Sequence, residues 1–322
     1  MSHFRGKHVV VTGAGGSIGS QLCHQLIGAG VGKLTLFSLT ESGLYNINRK
    51  LRALRTDTEI VPVLGSVTDE GLVNEVLKTP QIVIHAAAHK HVPLCQDNPV
   101  AAIMNNVLGT ETLLKACVSQ GVEQFLLVST DKAVKPTSVM GATKRVAELM
   151  TMRYAQRHLR QSFLVTRFGN VMDSDGSVLP LWREQIAKGG PITVTDPNCT
   201  RFFMTIPDAC ELIMQTLGME YQSGVFVFDM GEPKNMYKLA QALILASGME
   251  CPIDIIGLRP GENLTEELFH GGELVATPHP KIFEVRDAPS LLPLRHLDEL
   301  LNAAMCRLKS TSTKMLMQMV HE

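Results

Sequence analysis

The chain has 322 residues and a net charge of −1, with 45% apolar and 19% charged residues. That length supports one large core with a smaller elaboration; the composition excludes disorder, and the near-neutral charge without a Lys/Arg block excludes nucleic acid or an anionic membrane as main partner. Seven scattered cysteines without a Cys-x-x-Cys pair fit a reducing compartment, and neither a leader pattern nor an apolar run of membrane-spanning length is found, so a cytoplasmic protein with no membrane span is expected.

In chain order, KHVVVTG, KLTLFS, EIVPVLG, QIVIHAAA and EQFLLVST read as strands, separated by helical patterns at 17–29, 41–55, 69–77 and 99–120. A helix at about 138–159 and the strand SFLVTRFG continue the alternation. Short apolar strands alternating with helices imply an α/β fold, a doubly wound parallel sheet of the Rossmann kind. After Gly169, Pro and Gly become frequent and the elements shorten. The expected organisation is a dinucleotide-binding core at 1–169 and a smaller substrate-binding portion at 170–290, interleaved with the last sheet strands. A terminal amphipathic helix from about 290 to 306 and a frayed tail complete 291–322. The methionine-rich KMLMQMV is read as part of that ragged tail rather than a partner-binding stripe.

VVVTGAGGSIGSQL sets Gly13, Gly16 and Gly19 between the first strand and a helix opened by Ser17 and Ile18. Such a turn lets the backbone approach a pyrophosphate that the helix N-terminus stabilises. At the end of the second strand Ser38 fills the slot where an acid would bind a ribose 2′-hydroxyl, with Thr40 and Glu41 behind it. No Arg follows to receive a 2′-phosphate, so Glu41 favours NAD while NADP stays open. Ser66 and Val67 stand near the expected adenine, and Ala86, Ala87 and Ala88 should pass beneath the pyrophosphate and nicotinamide ribose. His89 and His91 form a His-x-His pair without a third ligand nearby, so no metal is expected.

VSTDKAVKPTSVMGATK brings Thr130, Asp131 and Lys132 to the carboxyl end of the fifth strand, with Met140 and Lys144 on one face of the next helix. A Tyr-x-x-x-Lys signature would place tyrosine where Met140 stands, and a thioether handles no catalytic proton. An adjacent acid and base at a cofactor cleft is what a dehydration requires.

With TGAGGSIGS, HAAAHKHVPL, NNVLGT, STDKAVKPTSVMGATK, TRFGNV, GSVLPLW, TRFFMTI and LRPGENLTEEL in hand, residues 6–283 resemble the nucleotide-sugar 4,6-dehydratases of bacterial surface-polysaccharide biosynthesis. These are extended short-chain dehydrogenases acting on UDP-N-acetylglucosamine, and several share Met in place of Tyr. Many Met-bearing members have N-terminal membrane spans, so the chain resembles a free catalytic domain or a short form. The resemblance implies hydride transfer from sugar C4, removal of the C5 proton by Lys132, protonation of the departing 6-hydroxyl by Asp131, and hydride return to C6. Asp131 would then need a proton at neutral pH, and Lys132 would need to be partly neutral, helped by repulsion from Lys144. The same lysines would hold Asp131 ionised, which opposes that requirement. Lys144 is expected mainly to orient the nicotinamide ribose. Thr130, Asp131 or a water are the candidates for taking the 4-hydroxyl proton.

By the same resemblance Asn170 and Arg259 hold the diphosphate, Arg201, Thr195 and Glu262 line the nucleotide-sugar region, and Lys90 contacts the sugar. The two long helices at 99–120 and 138–159 would pair with a second copy, giving a homodimer or larger assembly. The alternatives are a 5-epimerising dehydratase, a 5,6-alkene-forming variant, or a silent NAD(P)-sensing module.

Overall fold

The computed structural model describes residues 2–286 and 294–321. Six parallel strands form first: β1 (His8–Thr12), β2 (Lys33–Ser38), β3 (Glu59–Leu64), β4 (Ile82–His85), β5 (Gln124–Val128) and β6 (Ser162–Arg167). Three more, β7 (Ser223–Phe228), β8 (Glu273–Ala276) and β9 (Ile282–Arg286), extend the same sheet. The order is β8-β9-β7-β6-β5-β4-β1-β2-β3, with β7 parallel to β6 and β9 antiparallel to both β7 and β8. The 3-2-1-4-5-6 arrangement reverses direction between β1 and β4, and ligands bind at that switch point outside the carboxyl ends of the strands. The parallel doubly wound sheet expected from the sequence is present. The portion after Gly169 supplies sheet strands as well as the short elements beside the cleft.

Helices cover both faces: α1 (Ser17–Gly28), α2 (Glu41–Arg52), α3 (Glu70–Val76), α4 (Val92–Asp97), α5 (Pro99–Ile103), α6 (Gly109–Gln120) and α7 (Val139–Arg157) lie in the first half. The strands between them are continuous apolar runs because both faces are covered: every residue of β1 and β4 is buried. The helix expected over 99–120 is interrupted by a π-helical turn at Met104–Leu108. Asn106, 1% exposed, explains it. Its side chain receives the His89 N–H and donates to the His89 carbonyl and to Thr143 Oγ1, tying the turn to the β4–α4 loop and to α7. Such bulges aim one side chain out of helical register.

In the second half α8 (Val178–Ala187), α9 (Ile206–Gly218) and α10 (Met236–Ser247) follow. The C-terminus corrects the sequence reading. Helix α11 (Leu294–Met305) matches the expected amphipathic helix, whose first residues 290–293 lie outside the described ones. The tail is not frayed: α12 (Lys309–His321) is a second helix folded back on α11, α7 and α5. Ser312, Leu316 and Met319 recur at helical spacing and are buried, while the Ser312 hydroxyl donates to the Leu308 carbonyl within the helix. The polar KSTSTK stretch is thus the first half of a packed helix, with Ser312 on its buried face.

Candidate active site

The end of the cleft beside the β1–α1 turn is shaped by missing side chains. Gly13 has φ 67°, and a Cβ there would lie 2.7 Å from the Ala87 nitrogen. A Cβ on Gly19 would fall 2.1 Å from the Gly13 carbonyl oxygen, so both positions require glycine. The N-cap of α1, Gly16, has no side-chain oxygen to satisfy the first amides, and the first turn holds no acid. Those N–H groups and the helix dipole remain available to an anion, which fits a dinucleotide pyrophosphate. One chain of donors anchors the floor. The Ala87 N–H reaches Thr12 Oγ1 (3.3 Å), Thr12 bonds His85 Nδ1 (2.7 Å), His85 Nε2 bonds Thr110 Oγ1 (3.1 Å), and Thr110 donates to the Asn106 carbonyl (2.6 Å). Burial lowers the His85 pKa to about 3, so this ring is a neutral tie.

Gly13, Gly16, Ser17, Ile18, Gly19, Ala86 and Ala88 line one open cleft of about 760 Å³ together with Lys90, Thr130, Lys132, Met140, Lys144 and Asn170. Ala87 backs this wall against Gly13. Ser38, Thr40, Glu41, Ser66 and Val67 stand at the carboxyl ends of β2 and β3, outside that wall. There Ser38 pairs with Thr40 (3.3 Å) and Ser66 with Thr68 (2.8 Å).

At the other end, the turn after β5 presents Thr130, whose hydroxyl donates to Asp131 Oδ1 (2.8 Å). The same oxygen accepts from Lys132 Nζ (3.0 Å), which also reaches Asn170 Oδ1 (3.3 Å) and lies 3.7 Å from Glu266 Oε1. Asp131 is 1% exposed and does not line the cleft, and its Oδ2 has no hydrogen-bond partner among the described residues. A Cβ on Gly169 would sit 3.0 Å from that oxygen, so glycine keeps the space beside it open. Helix α7 packs directly on this turn: a Cβ on Gly141 would lie 2.1 Å from the Lys132 carbonyl oxygen.

The two lysines divide differently from the expectation. Burial pulls the Lys132 pKa down, but Asp131 and Glu266 outweigh it and leave the group above the ordinary lysine value. Lys132 is therefore a cation at rest, not partly neutral. The cation opposing it is Arg201, and Lys144 is not among its influences. Lys144 itself is 5% exposed, and burial lowers its pKa to about 8 against the opposing pull of Glu148 one turn on. Glu148 is held in a buried network with Ser129 Oγ (2.6 Å), Arg167 Nε (2.8 Å) and Arg145 (3.2 Å) that locks α7 to β5 and β6. Met140, 4% exposed, forms the wall one turn before Lys144.

Among the expected sugar-nucleotide contacts, Lys90 and Asn170 reach the cleft wall, whereas Thr195, Arg201, Arg259 and Glu262 lie outside it. Arg201 donates to the carbonyls of Thr200 (2.8 Å), Leu264 (3.1 Å) and Asn263 (2.8 Å), so its fork clamps a loop. Glu262 accepts the Arg259 N–H (3.2 Å), while the Arg259 residue is exposed. Three features escaped sequence reading: Glu266, the Glu148 network, and the Asp175 loop. In that loop the Asp175 N–H donates to Ser17 Oγ (3.1 Å) and its carbonyl receives Lys90 Nζ (2.7 Å), strapping α1 to the β4–α4 loop. Glu266 lay within a quoted motif, but its partner Lys132 is distant in sequence. Among the described residues no group of three His, Cys, Asp or Glu is arranged to hold a metal ion.

The model of the family described as polysaccharide biosynthesis protein matches residues 9–287. The chain belongs to this family. It is 44% identical over 274 residues to the capsular polysaccharide biosynthesis protein CapD of Staphylococcus aureus, covering 83% of this chain and 46% of CapD. It therefore spans less than half of that relative's length. It is 32% identical over 277 residues to a UDP-glucose 4-epimerase of Rickettsia bellii, covering 84% of this chain and 80% of that protein. In structure it is similar to Pen from Bacillus thuringiensis, with a TM-score of 0.83 at 28% identity, covering 90% and 92% of the two chains. As a member of the polysaccharide biosynthesis protein family, the chain carries α11 and α12 beyond the matched region. No described helix is long and apolar enough to cross a membrane.

Proposed function

We propose that the chain is a nucleotide-sugar 4,6-dehydratase that converts UDP-N-acetylglucosamine, or a close UDP-hexosamine, to the 4-keto-6-deoxy sugar nucleotide with NAD as bound cofactor. The observation that carries this reading is the Asp131–Lys132 pair, joined at 3.0 Å where a tyrosine-dependent oxidoreductase would rely on the position of Met140. The glycine turn, the uncapped start of α1 and the alanine floor would hold the dinucleotide, and a bound nicotinamide would accept the C4 hydride and return it to C6.

The protein's own residues supply the proton chemistry. Lys144, with its pKa near neutrality at about 8, is suited to take the 4-hydroxyl proton that tyrosine would otherwise take. Oxidation at C4 acidifies the C5 proton. The Asp131–Lys132 pair takes up that proton and delivers one to the departing 6-hydroxyl, which leaves as water; the hydrogen bond between the two side chains then restores their starting states. Lys132 is the member of the pair on the cleft wall, and Asn170 and Thr130 orient the pair. Lys90 is suited to contact the sugar, and Arg259 and Glu262 would require the outer loop to close over the nucleotide.

The Rickettsia relative keeps a 4-epimerase in view, but epimerisation has no use for the Asp–Lys pair. The test is incubation with UDP-N-acetylglucosamine and NAD in D2O, followed by NMR and mass spectrometry. The expected product is lighter by one water and carries deuterium at C5. Unchanged substrate, or a C4 epimer of unchanged mass, would sink the reading. Retained cellular function in Asp131→Asn or Lys132→Ala would instead favour a silent cofactor sensor.

A further inference from the structure

Lys132 Nζ meets three oxygens: Asp131 Oδ1 at 3.0 Å, Asn170 Oδ1 at 3.3 Å and Glu266 Oε1 at 3.7 Å. Two of the ammonium protons are used on Asp131 and Asn170, and Glu266 faces the group as an ion-pair partner just beyond hydrogen-bonding distance. Two of the oxygens belong to the turn after β5 and to the strand beginning at Asn170. The third comes from the 262–268 loop, which Arg201 clamps by its two carbonyl-bound nitrogens. Glu266 has a side chain 4% exposed, lies 4.0 Å from Arg201 Nε, and accepts Asn263 Nδ2 on its other oxygen (3.3 Å). A carboxylate buried that deeply beside a catalytic cation does more than close a loop, since Arg201 and Asn263 alone already tie that loop down.

We propose that Glu266 is a positioning residue for Lys132: it holds the ammonium group at the cleft wall and sets the charge state in which Lys132 meets substrate. This deepens the dehydratase reading and rests on it for the role of Lys132. The groups facing Lys132 are Asp131 on its own turn, Glu266 on the loop and Arg201 in the short strand Thr200–Arg201; α7 contributes Gly141 against its backbone. The groups facing Glu266 are Lys132, Asp131, Arg201 and Asn263. Removing the Glu266 charge leaves Lys132 with one carboxylate against Arg201. Its pKa then falls, whether catalysis uses the charged or the neutral form. Burial lifts the Glu266 pKa as well, as expected for a carboxylate that shares its cation with Asp131.

The experiment compares the wild type with Glu266→Gln and Glu266→Asp, reading kcat/KM for product formation against pH. In the Gln variant the limb governed by Lys132 moves to lower pH by about one unit or more, the scale of one opposite charge within this distance. The Asp variant keeps the charge and leaves that limb near its wild-type position. Superimposable profiles, or a raised KM with an unmoved limb, would overturn the proposal and leave Glu266 a loop tie. Competitive acetylation of Lys132 against pH, read by mass spectrometry, gives the same comparison without substrate. It therefore separates failure of this proposal from failure of the dehydratase reading. If the Gln variant does not fold, Glu266→Asp decides by the same acetylation comparison: a Lys132 titration kept near the wild-type position supports the proposal, and one displaced despite the retained charge overturns it.

Discussion

Lys132 and Lys144 lie on the wall of one cleft, yet their surroundings push their charges in opposite directions. Two carboxylates hold Lys132 as a cation, whereas Lys144 is buried with only Glu148 opposing the loss of its proton. That contrast has a stability consequence. The folded-state pKa of Lys144, about 8, lies below the ordinary value of about 10.4, so between these pH values the unfolded chain binds the extra proton. Folding therefore gains stability as pH rises through this window, and below it the buried charge destabilises by a constant amount. Lys144→Met should raise the unfolding midpoint at neutral pH, without added cofactor, and the gain should fade on going to alkaline pH. A midpoint that drops at neutral pH would show that the charge of Lys144 is compensated. The same substitution should abolish hydride transfer from the sugar. The sequence exposed both lysines by motif, but their environments depend on Glu266 and Glu148, which reach them through the fold, so which of the two is held more firmly charged was not legible.

At the level of elements, α7 carries much of the candidate site because it lies against the turn after β5 without a side chain between them. Gly141→Ala would push a methyl into the Lys132 carbonyl, where only backbone can yield. The expected effect is a loss of about 1–3 kcal/mol of stability, measured by denaturant unfolding, together with a lowered kcat as the pair shifts from the wall. A variant with unchanged stability and rate would show that α7 slides freely. The β-strands and most helices were legible because apolar runs and helical spacing are local signals. The π-turn at Met104–Leu108 was not, since it follows from the long-range hydrogen bonds of Asn106 with His89 and Thr143. The tight β1–α1 turn was readable from its glycines; the clamp made by Arg201 was not, because a guanidinium expected to line a substrate region is equally suited to three carbonyls.

Across the whole molecule, the sheet reversal between β1 and β4 sets the cleft, and the Asp175 loop ties its two sides through Ser17 and Lys90. The hairpin of α11 and α12 lies on the opposite concern, the flank formed by α5 and α7. Leu297, Leu300, Ala304 and Leu316 are each at most 3% exposed there, and burial of each leucine contributes about 1.5–3 kcal/mol. Helix α7 and the start of the 99–120 segment belong to the helices that the sequence suggested would pair with a second copy. A chain ending at residue 286 should bare that flank and self-associate, as read by light scattering, at concentrations where the longer chain keeps its mass; equal masses would contradict this. The hairpin thus behaves as an attached stand-in for a neighbour. Any assembly that engaged this flank would have to peel the hairpin away or build on its outer surface, and the hairpin lies beyond residues 9–287 that the family model matches.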